Sequence, residues 1–303
     1  LAATHRHGRI QRHRRHRRLS AVSPGTAALN APIGVFDSGV GGLSVLRALR
    51  AEMPHEHFVY FADSGHAPYG ERDAANVIER SRAVLAALRA DHGIKALVIA
   101  CNTATAAAVH LLRVEHPDLP IIGVEPALKP ATTASRTGTI GVLATRGTLG
   151  SRKFAALLAS LTPLAVFKLQ ACDGLADAIE RQDTSGTIAL CDRYTMEMGT
   201  FGPENGQMDT LVLGCTHYPF AAEVLRARVG AGVRLIDTGE PVARHTRQLL
   251  TARQLALGSP KLSSRIAPHV AEPLTLLSSG PPEALRSAVR RWLGLNLPVR
   301  ESR

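Results

Sequence analysis

The sequence predicts an α/β protein in which two similar parallel-sheet domains face each other across one cleft. Short apolar runs alternate with helical patterns along most of the chain, which is typical of βαβ units and a parallel sheet. Polar clusters follow these runs, and open parallel sheets bind ligands beyond the carboxyl ends of their strands. Two of the clusters share a cysteine pattern, at Cys101 and Cys215, with one in each half of the chain.

The composition is that of a globular protein with its own core. Hydrophobic residues make up 45% of the 303 positions, and no apolar run approaches the ~20 residues of a membrane span. The four cysteines are too few for a disulfide scaffold. Since no secretory signal pattern is present, we expect free thiols in a cytoplasmic protein without a membrane partner. None of the cysteines has a zinc-finger spacing, so no metal site is expected.

Basic charge is concentrated near the amino-terminal end. The first 18 residues hold seven arginines and no acid, which leaves +4 of the net +11 for the rest of the chain. Residues 1–31 are therefore predicted to form a disordered basic tail. Binding of nucleic acid or polyphosphate through this tail is one alternative and a transit peptide is another, but a segment without function is favoured. No nucleic-acid partner is expected for the folded body.

Four strands are predicted in the first half of the chain, at residues 33–36, 58–61, 96–100 and 121–124. Helical patterns follow from residue 43 and over residues 74–90 and 103–115. The polar residues after these strands are Asp37-Ser38, Asp63-Ser64, Cys101-Asn102-Thr103 and Glu125. Because the strands are parallel, these groups are predicted to share one edge of a sheet.

The second half repeats the alternation. Strands are predicted at residues 139–143, 164–169, 210–213 and 233–236, with a last one at 274–277. Helices are predicted at residues 149–161, 175–181, 187–200, 219–228, 241–257 and 283–293, with a loop over 258–273. The polar residues after these strands include Thr145, Cys215-Thr216-His217 and Asp237-Thr238. They predict the second wall of the cleft.

The two cysteine clusters favour a reaction that needs two thiols. Each cysteine lies where a strand gives way to a helix, whose N-terminus favours a thiolate. A single buried cysteine is more often inert, but two in matching contexts favour a function. Inverting an α-carbon requires one group to remove a proton from one face and a similar group to deliver one to the other. Cys101 and Cys215 fit these roles, with Asp37 and His217 placed to tune them.

The same clusters suit an amino acid better than a phosphate or a nucleotide. Hydroxyls, amides and helix N-termini can bind a carboxylate, and Asp37 can bind an ammonium group. The Gly39–Gly42 stretch lacks the GxGxxG spacing of a dinucleotide loop. No lysine has the context of a Schiff base, so no cofactor is expected. Cys172 and Cys191 are predicted core residues, and Asp63 is equally a cap or a site residue.

These motifs resemble those of the glutamate racemases, within the aspartate/glutamate racemase superfamily, over about residues 32–294. The matching stretches are Phe36-Asp37-Ser38-Gly39-Val40-Gly41-Gly42, Tyr69-Gly70, Cys101-Asn102-Thr103 and Gly214-Cys215-Thr216-His217-Tyr218-Pro219. The resemblance implies cofactor-independent racemisation of L-glutamate to D-glutamate, which supplies peptidoglycan synthesis. It also implies a homodimer. An aspartate or other amino-acid racemase of the superfamily is one alternative, and a non-catalytic binding protein on the same scaffold is another.

By resemblance, Cys101 and Cys215 are the catalytic proton carriers, assisted by Asp37 and His217. The implied substrate-binding residues are Asp37, Ser38, Tyr69, Gly70, Asn102, Thr103, Thr216 and His217. Further candidates are Glu180, Thr145 and Thr148. Glu180 corresponds to a glutamate of the family, although the preceding Ala171-Cys172-Asp173-Gly174 departs from the usual Ala-Cys-Pro.

The resemblance also implies a domain plan. The first domain combines residues 32–126 with residues 238–303, and the second domain, residues 127–237, is inserted between them. Each domain then contributes one of the two cysteines to the cleft.

Overall fold

The computed structural model describes residues 26–257 and 274–302. Most of the predicted basic tail and the predicted loop at 258–273 therefore lie outside the described residues. Within the described ranges, no helix combines the length and the apolar character that crossing a bilayer requires.

The described strands form two sheets. In chain order they are β1 (Ile33–Asp37), β2 (Phe58–Ala62), β3 (Ala96–Ile99), β4 (Ile121–Gly123), β5 (Thr139–Ala144), β6 (Val166–Ala171), β7 (Thr210–Leu213), β8 (Arg234–Ile236), β9 (Leu274–Ser278) and β10 (Val299–Glu301). The first sheet has the order β10-β9-β2-β1-β3-β4, and the second has the order β6-β5-β7-β8. Each pairing among these strands is parallel. The predicted fold class is confirmed.

Helices alternate with the strands. They are α1 (Thr26–Asn30), α2 (Leu43–Glu52), α3 (Ala74–His92), α4 (Asn102–Glu115), α5 (Leu128–Ala134), α6 (Arg146–Leu149), α7 (Arg152–Leu161), α8 (Leu175–Glu180), α9 (Thr184–Met198), α10 (Ala222–Val229), α11 (Gly239–Ala252) and α12 (Pro282–Leu293). Short 3₁₀ turns lie at Ser64–His66, Tyr69–Glu71 and Tyr218–Ala221.

The central strands are buried on both faces. Alternate residues of β1 and β3 belong to two separate hydrophobic clusters: Val35 and Val98 lie in one, while Phe36 and Leu97 lie in the other. A strand covered by helices on both sides needs apolar residues at every position. This burial explains why the strands appear in the sequence as continuous apolar runs.

The strand register brings the polar clusters together. Phe36 of β1 pairs with Phe61 of β2 and with Ile99 of β3. The residues that follow these strands therefore emerge at one edge of the first sheet. In the second sheet Val142 of β5 pairs with Val212 of β7, which places the residues after those two strands at a common edge as well.

Residues 26–30 depart from the disorder predicted over 1–31, because they form α1. Leu29 is buried, and its backbone oxygen accepts a hydrogen bond of 2.7 Å from Lys95 Nζ. Lys95 also pairs with the buried Glu56 at 2.6 Å. Lys95, which is distant in sequence, therefore fixes the position of α1 against the folded body.

Some boundaries also differ from the prediction. The helix predicted over 149–161 is divided into α6 and α7, because Ser151 Oγ accepts a hydrogen bond from Phe154 N at 3.1 Å and starts a new helix. The helix predicted over 241–257 ends at Ala252. Neither β10 nor α5 was predicted from sequence. In β10 only Val299 is buried, so the strand is too short and too exposed to leave a pattern.

Candidate active site

A cavity of about 230 Å³ is lined by residues from both halves of the chain. This volume is below the ~300–1,000 Å³ of sites for drug-sized ligands and suits a small substrate. The predicted site residues that line it are Ser38, Tyr69, Gly70, Cys101, Asn102, Thr103, Thr145, Glu180, Cys215, Thr216 and His217. Two predicted residues, Asp37 and Thr148, are not among the described residues that line it.

Cys101 lies at the start of α4 and is 6% exposed. Its Sγ accepts a hydrogen bond from Ala104 N at 3.5 Å and donates one to Ser38 Oγ at 3.7 Å. Burial raises the pKa of the Cys101 thiol, and the nearby Asp37 carboxylate raises it further. The helix N-terminus was expected to favour a thiolate here, but burial is the larger effect. Cys101 is therefore a thiol at neutral pH.

Cys215, on the opposite half of the chain, has a different set of neighbours. Its Sγ lies 3.7 Å from His217 Nδ1, and His217 Nε2 lies 2.7 Å from Glu180 Oε2. Burial disfavours the imidazolium, but the contacts with Cys215 and Glu180 outweigh it and hold the pKa of His217 well above its ordinary value. The raised pKa favours the imidazolium, which donates from both nitrogens. The sulfur of Cys215 is then the acceptor of a charged hydrogen bond.

Glu180 connects the two halves of the chain. It ends α8, and its Oε2 also accepts a hydrogen bond from Val40 N, in the loop after β1, at 2.9 Å. The side chain is 17% exposed, so Glu180 is not a solvated surface glutamate. The unusual Asp173 upstream does not keep Glu180 from reaching the cavity.

The glycines after β1 give these two side chains room. A Cβ added at Gly39 would overlap the carboxylate of Glu180, and one added at Gly41 would overlap the ring of His217. The backbone of a residue without a side chain can approach a neighbour this closely. The loop therefore packs closely against the carboxylate of Glu180 and the imidazole of His217.

Asp37 lies behind the cavity wall. Its side chain is fully buried, and its Oδ2 accepts hydrogen bonds from Gly42 N at 2.8 Å and Gly39 N at 3.3 Å. Burial raises the pKa of this carboxyl group, against the effect of the His217 charge. Among the described residues, Asp37 Oδ1 has no hydrogen-bond partner. The structure thus brings Asp37 near Cys101 and His217 without exposing it to the cavity.

The start of α6, with Thr145 and Thr148, joins the two walls of the cavity. Thr145 Oγ1 lies 3.2 Å from Thr103 Oγ1, on the other half of the chain, and donates to Thr148 Oγ1 at 2.9 Å. Thr148 is buried behind Thr145. On the cavity wall, Asn102 has both side-chain polar atoms buried without partners among the described residues. Buried amides of this kind are usually satisfied by a ligand or by water.

Sequence reasoning missed several residues that line the cavity, namely Glu71, Cys172, Asp173, Asp177, Arg146 and Arg181. Ser64, which was predicted at this edge of the sheet, also lines the cavity. Cys172 is buried as predicted, but it also lies on the cavity wall. Arg146 forms an ion pair of 2.5 Å with Asp173 at the rim. The departure from Ala-Cys-Pro at Asp173 was the one available signal for this pair. Cys191 is fully buried, as expected for a core residue.

Within the described part of the chain, no group of three His, Cys, Asp or Glu side chains is arranged to hold a metal ion. The polar groups of the cavity are thiols, hydroxyls, amides, carboxylates, two guanidinium groups and one buried imidazole. This set can move protons and bind a small zwitterion.

Comparisons with known proteins agree with this chemistry. The sequence profile of the Asp/Glu/Hydantoin racemase family matches residues 43–246. The chain is 53% identical to the glutamate racemase of Stutzerimonas stutzeri over 226 residues, which cover 74% of this chain and 84% of that protein. It is 46% identical to the glutamate racemase of Methylococcus capsulatus over 271 residues, which cover 88% of this chain and 93% of that protein.

Solved structures give the same result. Escherichia coli glutamate racemase, in complex with L-glutamate and the activator UDP-MurNAc-Ala, matches with a TM-score of 0.74 and 30% identity, and the match covers 89% of this chain and 97% of that one. The RacE1 glutamate racemase isoform of Bacillus anthracis matches with a TM-score of 0.76 and 29% identity, over 90% of this chain and 97% of that one.

Proposed function

This chain belongs to the Asp/Glu/Hydantoin racemase family, and on that premise we propose that it interconverts L- and D-glutamate without a cofactor. One observation supports the proposal most strongly. Cys101 and Cys215 come from the two halves of the chain and line one small cavity, each with its own charged neighbour. Racemisation needs two proton carriers of the same chemical kind on opposite faces of one carbon.

In the proposed mechanism, Cys215 and Cys101 exchange one proton each with the substrate. The Cys215 sulfur, as a thiolate beside the His217 imidazolium, takes the α-proton, so that a C–H bond breaks and an S–H bond forms. The electron pair is delocalised into the substrate carboxylate. The Cys101 thiol then delivers its proton to the opposite face and becomes the thiolate. For the other enantiomer the two cysteines exchange roles.

The residues around the thiols have separate proposed roles. Glu180 holds His217 in its charged form, and His217 stabilises negative charge on Cys215. This electrostatic preorganisation lowers the barrier. Asp37, behind the wall, acts through Cys101 by holding it as a thiol. Cys101 has no matching imidazole. When it becomes the thiolate, Ser38 Oγ and Ala104 N can both donate hydrogen bonds to its sulfur and stabilise the charge.

Substrate binding is proposed for the polar groups that face the cavity. They are Ser38, Tyr69, Gly70, Asn102, Thr103, Thr216 and His217, with Thr145 as a further candidate. Asn102 supports the proposal, since its amide has no other partner among the described residues. The N-terminus of α4, directly after Cys101, suits the α-carboxylate of an amino acid. The fully buried Asp37 and Thr148 are proposed to support this shell from behind.

Three further parts of the proposal rest on the family resemblance. One domain combines residues 32–126 with residues 238–303, and the other is formed by residues 127–237. This division is supported by the sheets: among the described residues, every strand of the first sheet lies in the first domain and every strand of the second sheet lies in the second domain. D-Glutamate serves peptidoglycan synthesis. The protein is a homodimer, which sedimentation of the purified chain would test.

The test of the function is turnover in D₂O with no added cofactor. Purified protein and L-glutamate are followed by circular dichroism and by loss of the α-proton signal in NMR. We expect the optical signal to decay to zero while deuterium enters the α-position. Turnover of L-aspartate alone would move the assignment to another racemase of the family. Binding of glutamate with no turnover would favour the non-catalytic scaffold.

A further inference from the structure

Asp63, which follows β2, lies at the centre of a buried hydrogen-bond network. Its side chain is 0% exposed, and its two oxygens accept five hydrogen bonds. Oδ2 accepts from Tyr69 OH at 2.5 Å and from Arg80 Nε at 3.0 Å. Oδ1 accepts from Arg80 Nη2 at 2.9 Å, from Ser279 Oγ at 2.6 Å and from His66 Nδ1 at 3.1 Å. A carboxylate has about four lone-pair sites, so Asp63 is saturated.

The network fixes one short segment of the cavity wall, residues 64–70. Tyr69 and Gly70 on this segment face the cavity, as does Ser64, whose buried Oγ has no partner among the described residues. Arg80 reaches Asp63 from α3, and Ser279 reaches it from the end of β9. Ser279 Oγ also accepts a hydrogen bond from Gly65 N at 3.2 Å. The segment is therefore held at its beginning through Gly65 and at its end through Tyr69.

The charge of Arg80 makes this arrangement possible. Burial works against the Asp63 carboxylate, but the donors from Arg80, Ser279 and Tyr69 outweigh it and lower the pKa of Asp63. Removing one partner of a buried ion pair leaves a charge without compensation. Without Arg80, the remaining carboxylate would have to recruit water or move, and Tyr69 would move with it.

We propose that Asp63 and Arg80 are positioning residues for the substrate, because they hold the 64–70 segment at the distance from α4 that glutamate requires. Neither residue exchanges a proton with the substrate, and Arg80 does not line the cavity among its described wall residues. The inference rests on the proposed function. The 64–70 segment then contributes to substrate affinity, whereas the two cysteines carry out the proton transfer.

The test is steady-state kinetics on Arg80→Ala, Arg80→Lys and Ser279→Ala, with thermal unfolding of each variant. A wall that binds ground state and transition state equally affects KM alone, so Arg80→Ala should raise KM ~10-fold with kcat within ~3-fold of wild type. Arg80→Lys keeps the charge but loses the bidentate geometry, so its KM should lie between those of wild type and Arg80→Ala. Ser279→Ala should raise KM ~2-fold to 3-fold.

Arg82→Ala is the matched control. Arg82 lies on the same helix, two residues further on, and forms a comparable pair with Glu115 at the exposed surface, away from the cavity. Its KM should equal that of wild type. Asp63→Asn can be added, and if that protein does not fold, the Arg80 and Ser279 variants still decide the matter.

The outcomes are distinct. A rise in KM for Arg80→Ala, partly rescued by lysine and absent in Arg82→Ala, supports the positioning role. An unchanged KM with a lower melting temperature and less active protein would mean that the network only stabilises the fold, and the inference would be overturned. If wild type itself shows no turnover of glutamate, the proposed function fails first and this inference fails with it.

Discussion

Cys101 and Cys215 follow corresponding strands, β3 and β7, and each is 6% exposed, but their surroundings differ. Cys101 has the hydroxyl of Ser38 and, behind it, the Asp37 carboxylate, so its environment favours the thiol. Cys215 has the imidazolium of His217, which Glu180 holds from its other side. The difference shows that two like residues in like sequence contexts can have different electrostatic surroundings.

The largest expected effect comes from removing either sulfur. Cys101→Ala and Cys215→Ala should each lower racemisation by ~10³-fold or more, because the substrate then loses its proton carrier on one face. Circular dichroism with L-glutamate and, separately, with D-glutamate measures the loss. A single variant that keeps full activity would refute the two-thiol mechanism.

The next test removes the charge that distinguishes Cys215. Glu180→Gln keeps the shape of the side chain but removes one of the causes that raise the pKa of His217, so that pKa should fall. The alkaline limb of kcat/KM against pH should then move to lower pH, and kcat should drop ~10²-fold. A profile that matches wild type would contradict the role of the Glu180–His217 pair.

The same raised pKa predicts how stability depends on pH. The unfolded value for histidine is about 6.5. Stabilisation from the His217 contacts is therefore fully present below that pH and is lost as pH rises through the higher folded pKa. Chemical denaturation between neutral and alkaline pH should show this loss in wild type, and a smaller one in Glu180→Gln.

The glycines that follow β1 offer a steric test of the surroundings of Cys215. Gly41→Ala would overlap the His217 ring, so the ring must shift away from Cys215, and we expect kcat to fall by ~10-fold to 10²-fold. Gly232→Ala is the control, because a Cβ at that position would meet no heavy atom within 4 Å among those described. Equal kcat in the two variants would argue against the close approach of the loop to His217.

The smallest effect is expected on the Cys101 side. Asp37→Asn removes a charge that raises the pKa of the Cys101 thiol, so that pKa should fall and alkylation of Cys101 at neutral pH should become ~3-fold to 10-fold faster. Mass spectrometry of iodoacetamide-treated protein measures the rate at each site. Cys191 is the internal control, since burial raises its pKa to about 11. An unchanged rate would mean that Asp37 does not influence Cys101.

Much of the fold could be predicted from the sequence. Strands buried on both faces produce apolar runs, and the boundaries of β1 to β9 fall within about two residues of those predicted. The fold class and the presence of both cysteines in one cavity followed from that pattern and from the carboxyl-end rule. The strand β10 did not, because a short edge strand with one buried residue leaves no alternation to detect.

The supporting residues of the site could be predicted only in part. The burial of Glu180 depends on Gly39 and Val40, more than a hundred positions away in sequence. The helical pattern around Glu180 contains nothing that reports this contact. Asp63 is similar, since two of its partners, Arg80 and Ser279, lie on other elements. Local sequence patterns identify the residues that follow the carboxyl end of each strand. Tertiary packing decides whether such a residue, for example Asp37, reaches the cavity.

The central claim is that the two cysteines differ in their charged neighbours and therefore in reactivity, and rates of alkylation test it most directly. Wild-type protein is treated with iodoacetamide at neutral pH, and modification of each cysteine is followed by mass spectrometry, with and without glutamate. We expect Cys215, which lies beside His217, to react at least ~10-fold faster than Cys101, and we expect glutamate to protect both. Equal rates, or a faster reaction at Cys101, would contradict it.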